Sequence, residues 1–280
     1  MFEKISKSWE LVKESLRVLQ ADKELMIFPI IASIGVVIVT LTFILPMIAA
    51  SAFDSIFAGG GEVLGFIVLF AFYLVQYTVI FFANTALVGA AMMRLKGGDP
   101  TVSDGIRIAT SRFGVILGYA LISATVGMIL RIISQRGGVI GRFITSLFGL
   151  AWNIATFLVV PVLAVENVGP IDAIKRSTNL LKRTWGEQIV GNFGISAIFG
   201  LVVFGLILIG VAVFVVFASL ESAALMILTG VVFTLAIILM MLLQSALHGI
   251  YTAAVYQYAT EGKTSGMFNQ HLVEGAFRQK

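Results

Sequence analysis

The 280-residue sequence has no cysteine, only two histidines and little charge for its length. Without cysteine there are no disulfides, no thiolate metal sites and no cysteine nucleophile. His248 and His271 belong to no HExxH pattern and have no partners at ligand spacing, so no metal centre is expected. A serine hydrolase needs a base beside its nucleophile, and no GxSxG occurs. Gly262-Lys263-Thr264 ends like a phosphate-binding loop. Gln257, however, stands where that loop requires its first glycine, and no strand precedes it. Gly59-Gly60-Gly61 is followed by no Lys-Ser/Thr pair and reads as a flexible connector. Neither an enzyme nor a bound cofactor is expected.

The shortage of charge sets the class. Charged residues make up 12% of the chain and hydrophobic ones 59%, with a mean hydropathy of +1.01. A soluble domain carries about 25% charged residues, so this chain has roughly half of what a water-facing surface needs. Six apolar runs, at about 25–50, 64–93, 113–133, 143–165, 189–218 and 222–258, reach the roughly 20 residues that cross a bilayer. The expected fold is all-α: a polytopic membrane protein forming one integral domain over residues 1–280. At 1.5 Å per residue, the second, fifth and sixth runs outreach a hydrocarbon core of roughly 30 Å and must tilt, kink or project. The first run is too long for a cleaved signal and follows a polar stretch of 24 residues with charges of both signs, so it reads as an uncleaved span.

The formal charge of +4 is a matter of placement. Sixteen of the nineteen Lys and Arg residues fall in the N-terminal segment, the second and fourth connections and the tail, all on one side of a six-span chain. The positive-inside rule then puts both termini in the cytoplasm of a prokaryotic cell, with the chain in its inner membrane. The basic excess thus records topology, and nucleic acid is not an expected partner. Arg131, Arg136 and Arg142 are the exceptions. They occupy the third connection, which has no acid, and either contact lipid phosphates or snorkel.

Three polar segments before odd-numbered spans are amphipathic at helical period, at about 4–20, 101–112 and 171–185. Their apolar faces read as Ile5, Trp9, Val12, Leu16 and Leu19; Val102, Ile106, Ala109 and Phe113; and Ile171, Ile174, Thr178, Leu181 and Trp185. Asp99-Pro100 and Gly169-Pro170 both lead to an acid and then a base, which suits a helix start and its dipole. The pattern is a threefold repeat of interfacial helix plus transmembrane hairpin, with a partial fourth helix around Phe268, Leu272, Ala276 and Phe277. Trp9, Trp185, Ile174 and Leu181 are the expected interfacial anchors, lying face-down in the headgroup layer.

Inside the spans, Gln76, Asn84, Asn153, Gln244 and His248 are the polar residues that need partners. Gln244 and His248, four apart, share a face. One reading is interhelical hydrogen bonding, about 0.6 kcal/mol per bond; the other is a polar pocket or pathway near the membrane midplane. Asn153 and Pro161 fit a kinked fourth span beside either. Glu166 reads as a solvated interfacial acid, and Gly114/Gly118 as a weak close-packing motif.

The segments SWELVKESLRVLQADKELMIFPI and PIDAIKRSTNLLKRTWG, with Tyr258, Phe268 and Phe277 near the end, resemble a family of uncharacterised prokaryotic six-span membrane proteins. More distantly, the repeated helix-before-span pattern is similar to the membrane domain found beside glycerophosphoryl diester phosphodiesterases. The first resemblance implies no activity and supplies no catalytic residues. The second implies a lipid-side role, and the phosphodiesterase catalytic domain is absent from these 280 residues. Two functions are therefore expected. The first is a non-enzymatic protein that binds membrane lipids or a membrane protein partner, forms a homo-oligomer, or organises the bilayer. The second is a transporter of a small or amphiphilic solute with a polar pathway near His248.

Overall fold

The structure, a computed structural model, describes residues 2–49, 62–185, 194–266, 268–270 and 273. Among these residues there is no strand, and six stretches are long and apolar enough to cross a membrane: Lys23–Ala49, Val63–Leu95, Phe113–Arg136, Gly138–Val165, Ile198–Ser219 and Ala223–Glu261. The chain is an all-helical, multi-pass membrane protein. Its helices are α1 (Phe2–Ala21), α2 (Ile27–Ala49), α3 (Glu62–Leu95), α4 (Val102–Ser111), α5 (Phe113–Arg136), α6 (Gly138–Thr156), α7 (Val159–Val165), α8 (Pro170–Trp185), α9 (Gly194–Ser219) and α10 (Ala223–Glu261). A 3-10 turn, Lys23–Met26, joins α1 to α2.

Two helices organise the rest. α3 packs on α2, α4, α5, α7 and α10, and α10 packs in turn on α1, α2, α7, α8 and α9. With 34 and 39 residues, these two are about 51 and 58 Å long at 1.5 Å per residue, far beyond a bilayer core of roughly 30 Å. The surplus is clothed by protein at one end. α10 buries only Thr229 before Ala246, then almost every residue through Gln257. α3 likewise turns from half-exposed to buried at Ala83. α1, α4, α7 and α8 form the covering, a collar at the end where most of the basic residues lie; that end is called the basic end below.

The start of each collar helix follows its local sequence. At α4, Thr101 and Asp104 form a reciprocal capping box, and Glu24 Oε2 accepts the Val102 N–H at 2.8 Å. The Thr101 N–H first, then its hydroxyl, holds the Asp104 carboxyl below the usual carboxylate range. α8 begins on Pro170, where a missing N–H costs nothing. Gly105 is required because a Cβ there would run into the Phe28 ring and lie 2.8 Å from the Ala86 carbonyl oxygen.

The basic residues that mark topology also knit the collar. Arg94 donates to the Ala21 carbonyl at the end of α1 (3.2 Å) and pairs with Asp99 (3.1 Å). Arg112 donates to Asn167 Oδ1 at 2.6 Å, Lys96 lies 3.6 Å from Glu261, and Arg176 pairs with Glu166 at 2.9 Å. Glu166 therefore differs from a free solvated acid, since it also accepts the Tyr256 hydroxyl at 2.9 Å. The tail closes the ring: Phe268 and Val273 are buried in the same core, and Glu14 Oε2 accepts the Asn269 N–H at 2.7 Å.

Several expectations need correction. The amphipathic helices exist, and Val12, Leu19, Ala109 and Leu181 of the faces read off the sequence are buried, with Leu16, Val102 and Ile174 packed beside them. Trp9, Ile106, Phe113 and Ile171, however, are exposed. α1 buries Leu11, Val12, Ser15, Val18 and Leu19 and leaves Trp9 48% exposed beside Lys13. α4 buries Gly105 and Ala109 while Ile106 points outward, and α8 buries Ala173, Ser177, Leu180 and Leu181 while Ile171 points outward. On α4 and at Ala173 and Ser177 of α8, small residues face the bundle where helices can approach closely, whereas α1 and the end of α8 bury leucine and valine side chains. Leu181 and Ile174 therefore pack against protein core, not lipid. The connection at 134–142 is not a loop: α5 and α6 meet at Gly137, with Gly138 at φ +55°. Of the GxxxG pair, Gly118 meets Pro170, and Gly114 faces open space. Gly262, from the loop-like GKT, is the left-handed cap of α10. The side chains of Ile5 and Trp185, with Gly59–Gly61, His271, Leu272, Ala276 and Phe277, lie outside the described residues.

Candidate functional site: a polar cavity at the edge of the collar

The fourth span is broken. α6 stops at Thr156 and α7 starts at Val159, with Pro161 unable to continue the hydrogen-bond ladder. An interruption at membrane depth is tolerated where protein supplies the missing partners. Here α8 supplies one: the buried Ser177 hydroxyl accepts the Leu158 N–H at 3.0 Å, while Thr178 Oγ1 donates to the Ile174 carbonyl of its own helix at 2.9 Å and lies 3.5 Å from the Ala155 carbonyl.

Against this break lies a cavity of about 350 Å³ between α3, α5, α6, α7 and α10. Three of the five polar residues expected to matter meet in its wall: Asn84 from α3, Asn153 from α6 and His248 from α10. Among the described residues, none of the three has a side-chain hydrogen-bond partner within the protein. Phe157, in the break, stands edge-on to the His248 ring with centroids 6.0 Å apart, and Phe81 packs on Tyr119 at 4.5 Å.

The other two candidates go elsewhere. Gln76 donates to Thr40 Oγ1 at 2.8 Å and ties α3 to α2 as interhelical glue. Gln244 is half-buried and does not line the cavity. The helical period explains this outcome. Ser245, His248, Gly249 and Thr252 all line the cavity, a stripe at steps of three and four that the pairing of Gln244 with His248 overlooked. Thr156 and Tyr119 were missed as well, since nothing in a lone sequence places them opposite α10. Gly249 is needed at this spot because a Cβ would collide with the Leu87 side chain of α3.

The depth of the cavity is informative. Asn84 lies 11 residues from the basic end of α3 and His248 lies 13 from that of α10, or about 16 and 20 Å at 1.5 Å per residue. Phe28, one residue into α2, touches Gly105 of the collar at the level of Ala86. Asn84 is therefore about 3 Å inside the point where α2 begins. The cavity sits where α3 and α10 pass from their exposed apolar halves into the collar.

Six apolar helices long enough to span a membrane, a collar at one end and a partly open polar cavity beside a broken helix define an integral membrane protein. The chain belongs to DUF6159, a family of unknown function whose model matches residues 63–267. The match contains every residue of the cavity wall and leaves α1 and α2 outside. No curated protein matches the chain.

Proposed function

We propose that the protein is a non-enzymatic membrane protein that binds an amphiphile, with the polar head in the Asn84–Asn153–His248 cavity and the apolar part in the bilayer. The observation that carries this reading is the convergence of those three side chains from three helices, none bonded within the protein among the described residues. Gln76 is the contrast, a polar side chain that finds an interhelical partner. A cavity of about 350 Å³ is at the small end of ligand sites, which run from roughly 300 to 1,000 Å³. Its place between the exposed apolar halves of α3 and α10 and the collar suits an amphiphile whose tail stays in the bilayer. The distant likeness to the phosphodiesterase-associated membrane domain points the same way. We place the protein in a prokaryotic inner membrane with the collar and both termini cytoplasmic, on the strength of the sixteen basic residues at that side.

The test is purification in mild detergent followed by native mass spectrometry of retained amphiphiles. Asn84→Ala, Asn153→Ala and His248→Ala should each weaken retention about three- to tenfold, the worth of one hydrogen bond, while the melting temperature holds. A wild-type protein that retains nothing specific would end the proposal. The broken fourth span favours a second reading, a carrier for such a solute, because discontinuous helices commonly build transport sites. Flux of the same amphiphile through proteoliposomes, abolished in His248→Gln, would replace binding with transport. Orientation is tested by single cysteines: Ser103 should label only after the membrane is opened, and Glu221, in the turn between α9 and α10, from outside in intact cells.

A further inference from the structure

At the end opposite the collar a second cavity, about 280 Å³, opens between the start of α3 and the end of α5. α5 contributes Arg131, Gln135 and Arg136 with Ile132 among them, and α3 contributes the apolar Phe66 and Leu69. Arg131 is held in place, since its Nη1 donates to the Tyr73 hydroxyl of α3 at 2.6 Å. A guanidinium carries five N–H donors, so most of its fork stays available. Arg136 has no hydrogen bond or ion pair among the described residues. Phe66 in the lining is 38% exposed, and Ile129 (51%) and Ile133 (40%), elsewhere on the same stretch of α5, are exposed apolar side chains too. Nothing in water would favour such a surface; acyl chains would.

We infer that this groove binds an anionic phospholipid of the leaflet at that end, its phosphate between Arg131 and Arg136 and an acyl chain along Phe66, Leu69 and Ile132. Three features support that occupant. Guanidinium forks match phosphate oxygens in pairs. These arginines stand where the rest of the chain avoids positive charge, so topology does not account for them. The apolar wall continues into the lipid-facing surface, which a free phosphate ion would not use. The site is separate from the His248 cavity and is independent of the amphiphile reading.

The test uses the full chain in mixed micelles with phosphatidylglycerol or phosphatidylcholine, retained lipid being counted by native mass spectrometry. Wild type should retain phosphatidylglycerol preferentially. Arg131→Gln/Arg136→Gln should lose that retention by about fivefold for each arginine removed, the worth of one basic residue near an anionic lipid. Arg142→Gln makes the same charge change on α6, outside the groove, and should leave retention unchanged. Equal retention by the double variant and wild type, or an equal loss in Arg142→Gln, would overturn the site. Displacement of the lipid by millimolar inorganic phosphate would overturn it too, by revealing a site for the free anion. If the double variant does not fold, Arg136→Gln alone carries the test, since its guanidinium supports nothing within the described protein; the same fivefold loss is expected.

Discussion

α3 and α10 each pass through two environments. Over Val63–Phe82 and Ala223–Ser245 their side chains are mostly exposed or half-exposed and almost all apolar; over Ala83–Met92 and Ala246–Gln257 they are mostly buried by other helices. Both halves are apolar, yet for different reasons. The first matches acyl chains and needs hydrophobicity without shape. The second is a protein interior and needs shape as well, which is why Gly105, Gly249, Ala109 and Ala173 occur where helices meet. Hydropathy is blind to this division. Close packing is not.

Matched substitutions should expose the difference, measured as apparent unfolding free energy in detergent. The largest effect is expected from Gly105→Val, which forces atoms into Phe28 and the Ala86 carbonyl and should cost about 3 kcal/mol or prevent folding. Gly205→Val in α9, where a Cβ meets nothing within 4 Å, should change stability by less than about 0.5 kcal/mol. Next in size, Leu87→Ala in the collared half, fully buried, should cost about 2–5 kcal/mol. Leu239→Ala, 61% exposed on the apolar half of α10, should cost under about 1 kcal/mol. Equal costs in either pair would erase the boundary drawn between the halves.

Ser177→Ala tests the seam between α8 and the broken span. It strands the buried Leu158 N–H and should cost about 1–3 kcal/mol. A cysteine at the same fully buried position should resist thiol reagents from either side of the membrane, even after it is opened. Ready labelling would mean that α8 lies on the surface, as its amphipathic pattern alone suggests.

The smallest effect concerns pH. Burial pushes the Asp22 carboxyl above its ordinary value of 3.8, against the pull of the Glu24 backbone N–H and of Arg94. The folded state therefore holds that proton more tightly than the unfolded chain. Stability should rise as pH falls through the folded pKa and level off near 3.8. Asp22→Asn should flatten that slope, which a melting-temperature series across mildly acidic pH would read.

What the sequence made legible follows from this division. Six spans and three amphipathic segments could be read because they depend on composition and period, and Asp99-Pro100 and Gly169-Pro170 marked helix starts correctly. The outward placement of Trp9 and Ile106 could not be read, because period weights them by hydrophobicity although lipid accepts them as readily as a core does. The meeting of Asn84, Asn153 and His248 depends on which helices are neighbours, and a single sequence carries no signal for that. The roles of Arg94, Arg112 and Arg176 were hidden for a similar reason. A charge count gives their side of the membrane, but their partners Ala21, Asn167 and Glu166 come from other elements.

The link from Glu14 to Asn269 spans 255 positions, and buried Phe268 and Val273 help to complete the core that α1 enters. Timing follows from that. A ribosome adding roughly 5–20 residues per second separates those partners by roughly 10–50 s. The antiparallel hairpins can enter the bilayer as each emerges, while α1, though made first, must wait for the tail. Through that interval its apolar face lacks its final cover. Among the collar helices, α1 is then the one whose cover is completed last, since its partners α9, α10 and the tail are made after the others.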